Sequence, residues 1–394
     1  MRIVFTGGGT GGHLIPFEPL IEAIRTYYLE QKNTLPAASD PNTCELYFLG
    51  IVDETTKAFF SRYDVRCHNI SSGKLRRYAS IKTVGDLLWR LPWGIVQALI
   101  KMWRIMPDVV VSKGGYGSLP ILVAAVIYRI PILLHESDAV SGLSNRLAAR
   151  WAATITVGFA VTREEMTKYK HKTFVTGTPV RSSFGRENQA EAKQSFGFAA
   201  TELVVLVMGG SQGAQQINEI VLQVLPEFIL EAGIIHITGV QHYTNISTVA
   251  AELLQSSSRK EFYKPFPYLT DRMSEAFAAA DVVVARAGAT TLAEITRLQK
   301  PSLLIPLASA ANDHQRRNAQ VYEERGAARV LDPNNLGRNL FLRSLKDLCQ
   351  DQAARAEIAR NLAPLDHPQA ARDIVSLIFK LASGLIPAAA KTKE

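Results

Sequence analysis

Short runs of β-branched and apolar residues recur along the chain. Each is followed by a glycine-rich turn and then by apolar positions at helical spacing. Ile3–Thr6 leads into Gly7-Gly8-Gly9-Thr10-Gly11-Gly12-His13 and a periodic stretch from about Pro16 to Tyr28. Asp108–Ser112 leads into Lys113-Gly114-Gly115-Tyr116-Gly117-Ser118 and a helix-like run through Val126. Leu203–Met208 leads into Gly209-Gly210-Ser211-Gln212-Gly213-Ala214 and a helical stretch to about Leu230. Asp281–Ala285 leads into Arg286-Ala287-Gly288-Ala289-Thr290-Thr291, then Leu292 to Leu298. Further strands are predicted at Leu46–Leu49, Ile132–Leu134, Thr154–Val157, Phe174–Thr176, Ile234–Thr238 and Ser302–Ile305. Strands alternating with helices predict βα units and parallel sheets, an α/β fold. Continuous apolar runs suit strands covered on both faces.

The pattern restarts near Leu203, after the polar stretch Arg186–Gln194. With a junction around Gly177-Thr178-Pro179-Val180-Arg181, this gives two Rossmann-like halves of similar size, facing each other across a cleft. Pro364 and Pro368 break the last helices, and a final helix over about Ala370–Leu381 can dock on either half. Asn33–Asn42 reads as a solvent loop, and Lys391–Glu394 as a frayed tail.

At 394 residues, 47% of them hydrophobic, the chain has material for two or three domains and is neither disordered nor fibrous. Cys44, Cys67 and Cys349 are too scattered for a disulfide framework or a paired-cysteine metal site, which suits a reducing compartment. No secretory signal opens the sequence. The longest apolar stretch, Leu119 to Leu134, is broken by Pro120, Arg129 and Pro131, short of the roughly 20 residues of a membrane span. A soluble or peripheral protein is expected. Its net charge of +8 points to an anionic partner: nucleotide, phospholipid surface or nucleic acid.

Backbone N–H groups at a helix start carry partial positive charge, and glycine lets a phosphate approach them. Gly7-x-Gly9-x-x-Gly12 matches the dinucleotide fingerprint, but the acid expected about 20 residues later is missing. Any one of the four loops also reads as a tight turn; together they favour a phosphate-bearing ligand. His13, at a helix start, is either a neutral proton acceptor or a packing residue. His135-Glu136 closes a strand, as a ligand contact or a structural hydrogen bond. Glu294 suits ribose or sugar hydroxyls, or simply offsets a helix dipole. His314-Gln315 suits sugar hydroxyls, or starts a helix capped by Asn312 or Asp313. The chain has no Asp-x-Asp, no HExxH and no paired cysteines. No carboxylate-held metal is expected, and leaving-group charge falls to helix starts and arginines.

Between Lys74 and Arg104 stand seven basic residues (Lys74, Arg76, Arg77, Lys82, Arg90, Lys101, Arg104) and one acid, Asp86. Leu75, Tyr78, Leu87, Leu88, Trp89, Leu91, Trp93 and Trp103 are interleaved. Tryptophan and leucine beside arginine suit an anionic membrane surface. The alternative is a core helix with a solvated basic face. No nucleic-acid module accompanies the patch, so nucleic acid is not an expected partner.

Taken in order, several motifs become recognisable together: Gly8-Gly9-Thr10-Gly11-Gly12-His13, Gly73-Lys74-Leu75-Arg76-Arg77-Tyr78, Gly114-Gly115-Tyr116, His135-Glu136, Gly142-Leu143-x-Asn145-Arg146, Gly177-x-Pro179-Val180-Arg181 and Gly209-Gly210-Ser211-Gln212-Gly213-Ala214. Arg286-x-Gly288-Ala289 with Glu294, and Gln315 with Asn318-Ala319, complete the series. From about Ile3 to Ala328 the chain closely resembles the MurG family, N-acetylglucosaminyltransferases of peptidoglycan synthesis. The resemblance implies a GT-B fold. An acceptor and membrane domain would span 1–178, a UDP-GlcNAc domain 179–367, and a C-terminal helix at about 368–385 would return to the first.

It further implies inverting transfer of GlcNAc from UDP-GlcNAc to the undecaprenyl-linked muramoyl pentapeptide (lipid I), by a peripheral enzyme on the cytoplasmic membrane face. No tightly bound cofactor is implied, though a divalent cation can stimulate; oligomeric state is not indicated. Matched residue by residue, donor contacts fall on Thr10, Gly11, Gly12, Arg181 and Ser211. Ala289, Thr290, Thr291, Leu292, Ala293 and Glu294 would hold the nucleotide and its ribose, Gln315 the GlcNAc hydroxyls, and the backbone near Leu269 the uracil. Asp138 stands where the family often has Asn; it accepts hydrogen bonds but cannot donate them. His13 matches the family's proposed general base, and Leu75, Arg76, Arg77, Trp89, Arg90 and Trp93 form the membrane patch. A related diacylglycerol glycosyltransferase, a UDP-GlcNAc epimerase or a non-catalytic membrane scaffold are the rival readings; an epimerase needs neither a lipid acceptor nor a tryptophan patch.

Overall fold

The computed structural model describes residues 1–8, 14–31, 44–72, 89–210, 213–307 and 313–385. The chain divides into two compact units, Met1–Pro179 with His367–Glu394, and Val180–Asp366. It therefore passes between units twice, at 179/180 and at 366/367.

Unit 1 runs β1 (Arg2–Thr6), α1 (Phe17–Gln31), β2 (Glu45–Gly50), α2 (Glu54–Ser61), β3 (Arg66–Asn69), α3 (Leu91–Ile105), β4 (Val109–Ser112), α4 (Leu119–Ile127), β5 (Ile132–Glu136), α5 (Leu143–Ala149), β6 (Thr154–Val157), α6 (Ala160–Glu165) and β7 (Thr173–Val175). Unit 2 runs α7 (Gln189–Ser195), β8 (Val204–Met208), α8 (Gln215–Phe228), β9 (Gly233–Ile237), α9 (Tyr243–Leu253), β10 (Tyr263–Phe266), α10 (Met273–Ala279), β11 (Val282–Ala285), α11 (Ala289–Arg297), β12 (Ser302–Leu304), α12 (His314–Glu323), β13 (Arg329–Val330), α13 (Arg338–Gln350) and α14 (Gln352–Leu362). α15 (Ala370–Ala382) then belongs to unit 1.

Both sheets are parallel, ordered β3-β2-β1-β4-β5-β6-β7 and β10-β9-β8-β11-β12-β13. Order reverses between β1 and β4 in one unit, and between β8 and β11 in the other. The crevice past the strand ends at such a reversal is where open α/β sheets take ligands. The four glycine loops follow those four strands. Along β1, side chains alternate between two cores: Ile3 and Phe5 join Phe17, Leu20, Phe48 and Phe60, while Val4 joins Val110, Leu122 and Ile155. α15 closes the first core with Ile374, Val375, Ile378 and Leu381, one apolar face of a helix, and Tyr27 packs on Phe379 with ring centroids 4.5 Å apart.

The units repeat one another in detail. Asp108, just before β4, accepts the N–H of Arg2 at 2.7 Å. Asp281, just before β11, accepts the N–H of Val204 at 2.9 Å. Each carboxylate accepts from the first N–H of its unit's leading strand of the sheet. Strand positions follow the apolar runs to within a residue or so. Three strands carry no such signal: β3 is Arg-Cys-His-Asn, β10 contains Pro265, and β13 is two residues long. All three are sheet edges, where half-exposed residues need not be apolar and proline is tolerated.

In unit 2, fully buried His236 holds α8 and β10 to β9: Nδ1 lies 2.8 Å from the Tyr263 hydroxyl, and Nε2 lies 3.0 Å from Asn218 Oδ1. Burial drives its pKa down to about 3. Unfolded histidine takes up a proton near pH 6.5 and the folded one does not. Stability is therefore full above that pH and declines as pH falls toward the folded value. We expect His236→Gln to remove a slope of about 1.4 kcal/mol per pH unit from urea unfolding free energies measured below pH 6.

Candidate functional site

In unit 2, Arg286 directly follows β11, and its guanidinium is buried. Nη1 donates to the carbonyls of Ile305 (3.0 Å) and Pro306 (2.8 Å), and Nη2 lies 3.4 Å from Gln216 Oε1. Burial lowers its pKa. Arg286 thus braces the loop ends after β11 and β12 against the start of α8. Fully buried Asn318 adds a second brace by donating to the carbonyl of Ala287 at 3.0 Å.

The braced segment opens into α11 through Gly288, which is extended (φ −72°, ψ 137°) and supplies no side-chain cap. A Cβ built on Gly288 meets nothing within 4 Å, so the helix start faces open space. Thr290, Thr291 and Ala293 are half-buried, while Ala289 and Leu292 face the core. Glu294, only 4% exposed, lies on the next turn. Its Oε1 accepts from Arg181 Nη2 at 3.1 Å. Arg181 itself lies over the Phe184 ring at 4.7 Å. Two residues far apart in sequence, Arg181 and Glu294, are thereby brought together beside an uncapped helix start.

Gln315 sits in the first turn of α12 and accepts the N–H of Leu307 at 3.0 Å through Oε1. Asp313 occupies the cap position in a left-handed conformation and makes no capping hydrogen bond, so the capped-start reading of Asp313 does not hold. The Leu269 side chain is buried after β10. Ser211 lies outside the described residues, as do Asn312, Thr10, Gly11, Gly12, His13, Leu75, Arg76 and Arg77.

Unit 1 holds a second polar cluster at the ends of β4 and β5. Gly115 has φ +82°, and a Cβ there would fall 2.8 Å from Gly8 Cα, so the first two glycine loops pack backbone to backbone. Buried Glu136 accepts from Asp138 N (3.1 Å), Gly142 N (3.0 Å) and Asn145 Nδ2 (2.7 Å), and so shapes the loop that carries Asp138. Burial and then Asp138 push its pKa up. Buried Lys113 donates to the Ser137 hydroxyl, and burial lowers its pKa against the pull of Glu136 and Asp138. The sequence signal for Lys113 was a lysine directly after Val109-Val110-Val111-Ser112. His135 is fully buried on Thr156 Oγ1 at 2.9 Å, which is the structural reading of that residue.

α3 buries Gly94, Ala98, Met102 and Ile105 and exposes Trp93, Val96, Ile100 and Trp103, next to exposed Trp89. It is thus a packed helix whose outer face is aromatic as well as basic. Among the described residues, no helix is long and apolar enough to cross a membrane, and no three His, Cys, Asp or Glu side chains gather as a metal site.

Comparison with known proteins bears on the family and the fold. Residues 3–157 match the glycosyltransferase family 28 N-terminal domain, and residues 204–375 the glycosyltransferase family 28 C-terminal domain. A UDP-N-acetylglucosamine--N-acetylmuramyl-(pentapeptide) pyrophosphoryl-undecaprenol N-acetylglucosamine transferase of Bacillus thuringiensis (strain Al Hakam) is 34% identical over 356 residues, covering 90% of this chain and 93% of that protein. In fold, the chain is similar to the crystal structure of Acinetobacter baumannii MurG, with TM-score 0.70 at 23% identity over 96% of this chain and 99% of that one. It is also similar to a UDP-GlcNAc 2-epimerase of Neisseria meningitidis solved with UDP-GlcNAc, with TM-score 0.66 at 14% identity over 96% of this chain and all of that one. With both its halves matched and a relative of this similarity spanning nine-tenths of its length, the chain belongs to glycosyltransferase family 28, among the MurG-type N-acetylglucosamine transferases.

Proposed function

We propose that the protein transfers N-acetylglucosamine from UDP-N-acetylglucosamine to the 4-hydroxyl of undecaprenyl-diphospho-N-acetylmuramoyl-pentapeptide, with inversion, as a peripheral protein on the cytoplasmic face of the membrane. The observation that carries this reading is buried Glu294 on Arg181 beside the open start of α11. A carboxylate there accepts both hydroxyls of a ribose, and the uncapped N–H groups of α11 receive the diphosphate. Gln315, with Oε1 on the Leu307 N–H, offers its amide N–H groups to the sugar. By the family match, the backbone near Leu269, with Ser211, Thr10, Gly11, Gly12 and Asp138, supplies the remaining donor contacts.

In the reaction, O4 of the muramoyl sugar bonds to C1 of the donor as the C1–O bond to phosphate breaks. The O4 proton passes to His13, and UDP leaves with the bonding pair onto the helix-start N–H groups. The reading needs no tightly bound cofactor, and the EDTA arm of the assay below reports whether a divalent cation stimulates transfer.

The test is transfer of radiolabel from UDP-N-acetylglucosamine, with and without the lipid acceptor and with and without EDTA. Label entering lipid only when acceptor is present supports the reading. Label recovered without acceptor as an epimeric UDP-sugar identifies an epimerase, and no UDP binding by calorimetry identifies a scaffold. In the same assay, His13→Ala is expected to lower kcat while leaving acceptor KM within about threefold, as removal of a general base does.

Gly288 offers a second check. Its φ is ordinary and its surroundings are open, so Gly288→Ala is expected to change stability by no more than about 0.5 kcal/mol. A methyl in the path of a diphosphate is expected to weaken UDP binding about tenfold, the loss of one charge-assisted hydrogen bond. Unchanged calorimetric affinity would place the diphosphate elsewhere.

A further inference from the structure

α11 carries two charged residues one turn apart, Glu294 and Arg297, and each is tied to a point where the chain changes unit. Arg181, which pairs with Glu294 at 3.1 Å, is the second residue after the 179/180 passage. Asp366, which pairs with Arg297 at 3.3 Å, is the last residue before the 366/367 passage. Apolar contacts follow the same route. A Cβ on Gly185 (φ +90°) would lie 3.7 Å from Leu298 Cδ2 at the end of α11, and the 3-10 turn Ala363–Leu365 packs on α11 from the other passage. Within unit 1 the two passages touch. Gly177 has φ +77°, and a Cβ there would fall 2.3 Å from His367 Cβ.

We infer that α11 links the ribose site to both chain passages, with Arg297 and Asp366 acting as positioning residues for Glu294. The inference rests on the donor-site reading above. A ribose diol that engages both carboxylate oxygens must share Oε1 with Arg181. Filling the site therefore changes the strength of the Arg181 contact and, through the helix, the hold on Asp366. Two sites joined by such a differential contact are linked reciprocally: whatever ribose does to the passages, the passages do to ribose affinity. Arg297 and Asp366 are each about one-quarter exposed, so the second pair is partly desolvated rather than a free surface contact.

The test is hydrogen–deuterium exchange of the full chain with and without UDP, alongside calorimetry. In the wild type, UDP is expected to slow exchange over 289–295 and over both passage segments, 177–186 and 363–370. In Asp366→Asn, the slowing over 363–370 is expected to be lost while that over 289–295 remains, and UDP affinity is expected to fall about fivefold, the lower end of typical coupling. Unchanged protection of β8 and β11 shows that unit 2 is still folded. The exchanged pair Arg297→Asp with Asp366→Arg is expected to restore both readouts, which a general loss of stability would not. UDP that binds and protects 289–295 without altering the passages in the wild type overturns the inference and leaves the donor site standing. Absence of any UDP binding overturns the donor site and the inference with it.

Discussion

Glu294→Gln is expected to lower kcat/KM for UDP-N-acetylglucosamine by about 10²- to 10³-fold, with UDP affinity falling in parallel, because the substitution removes a charge from a buried pair. The wild-type carboxylate is 4% exposed and holds Arg181 at 3.1 Å. Glutamine keeps the shape and one acceptor oxygen. It leaves the Arg181 cation without its counter-charge and offers a ribose diol an N–H where an acceptor is needed. Calorimetry with UDP separates this from damage to the fold, provided thermal unfolding is followed on the same samples. Arg181→Lys is the informative partner variant. It keeps the charge but loses the planar fork, so it is expected to retain part of the wild-type affinity. UDP affinity within threefold of wild type for Glu294→Gln would remove ribose from this carboxylate.

The second large effect concerns the membrane. Replacing Trp93 and Trp103 together by Ser is expected to lower partitioning onto anionic vesicles by about 10²-fold, since each buried aromatic side chain contributes about 1.5–3 kcal/mol when fully withdrawn from water. Both side chains stand on the exposed face of α3, spaced with Val96 and Ile100 over successive turns. Reversing Arg90 and Arg104 to Glu is expected to act on the same binding through charge, at about 1 kcal/mol for each basic residue near the surface, and to matter less as salt rises. Nearby α5 exposes Leu143, Arg146 and Leu147, with exposed Arg150 just after it, and α4 lies between it and α3, which extends the same mixture of apolar and basic groups. The measurement is sedimentation with vesicles of defined anionic content, with UDP affinity as the control that unit 2 is untouched. Vesicle binding that survives both sets of substitutions would assign the face of α3 to some other use.

Much of this architecture is legible in the amino-acid sequence. A βα alternation read from apolar runs and glycine turns is dictated locally, because buried parallel strands have no polar face to present. The ten strands so read are those with continuous apolar character. The edge strands β3, β10 and β13 escaped because half of each lies against nothing. The glycine loops were visible as composition, but their placement at the two strand-order reversals was not, since order is a property of the sheet. Arg286 was legible only as part of the motif Arg286-x-Gly288-Ala289; that its Nη1 donates to the carbonyls of Ile305 and Pro306, and so braces two loop ends, follows from the fold.

The amino-acid order alone determined two nucleotide-type halves, the four phosphate-compatible loops, a basic tryptophan-bearing segment and a family resemblance dense enough to name donor residues. Each of these depends on neighbours within a few positions along the chain. Tertiary structure decided which charges meet. Arg181 reaches Glu294 across 113 positions, Arg297 reaches Asp366, and α15 lays its apolar face on the unit where the chain begins. Such pairings follow from strand order and helix packing, which no local pattern encodes, and the strength of each depends on the burial that only the folded chain provides.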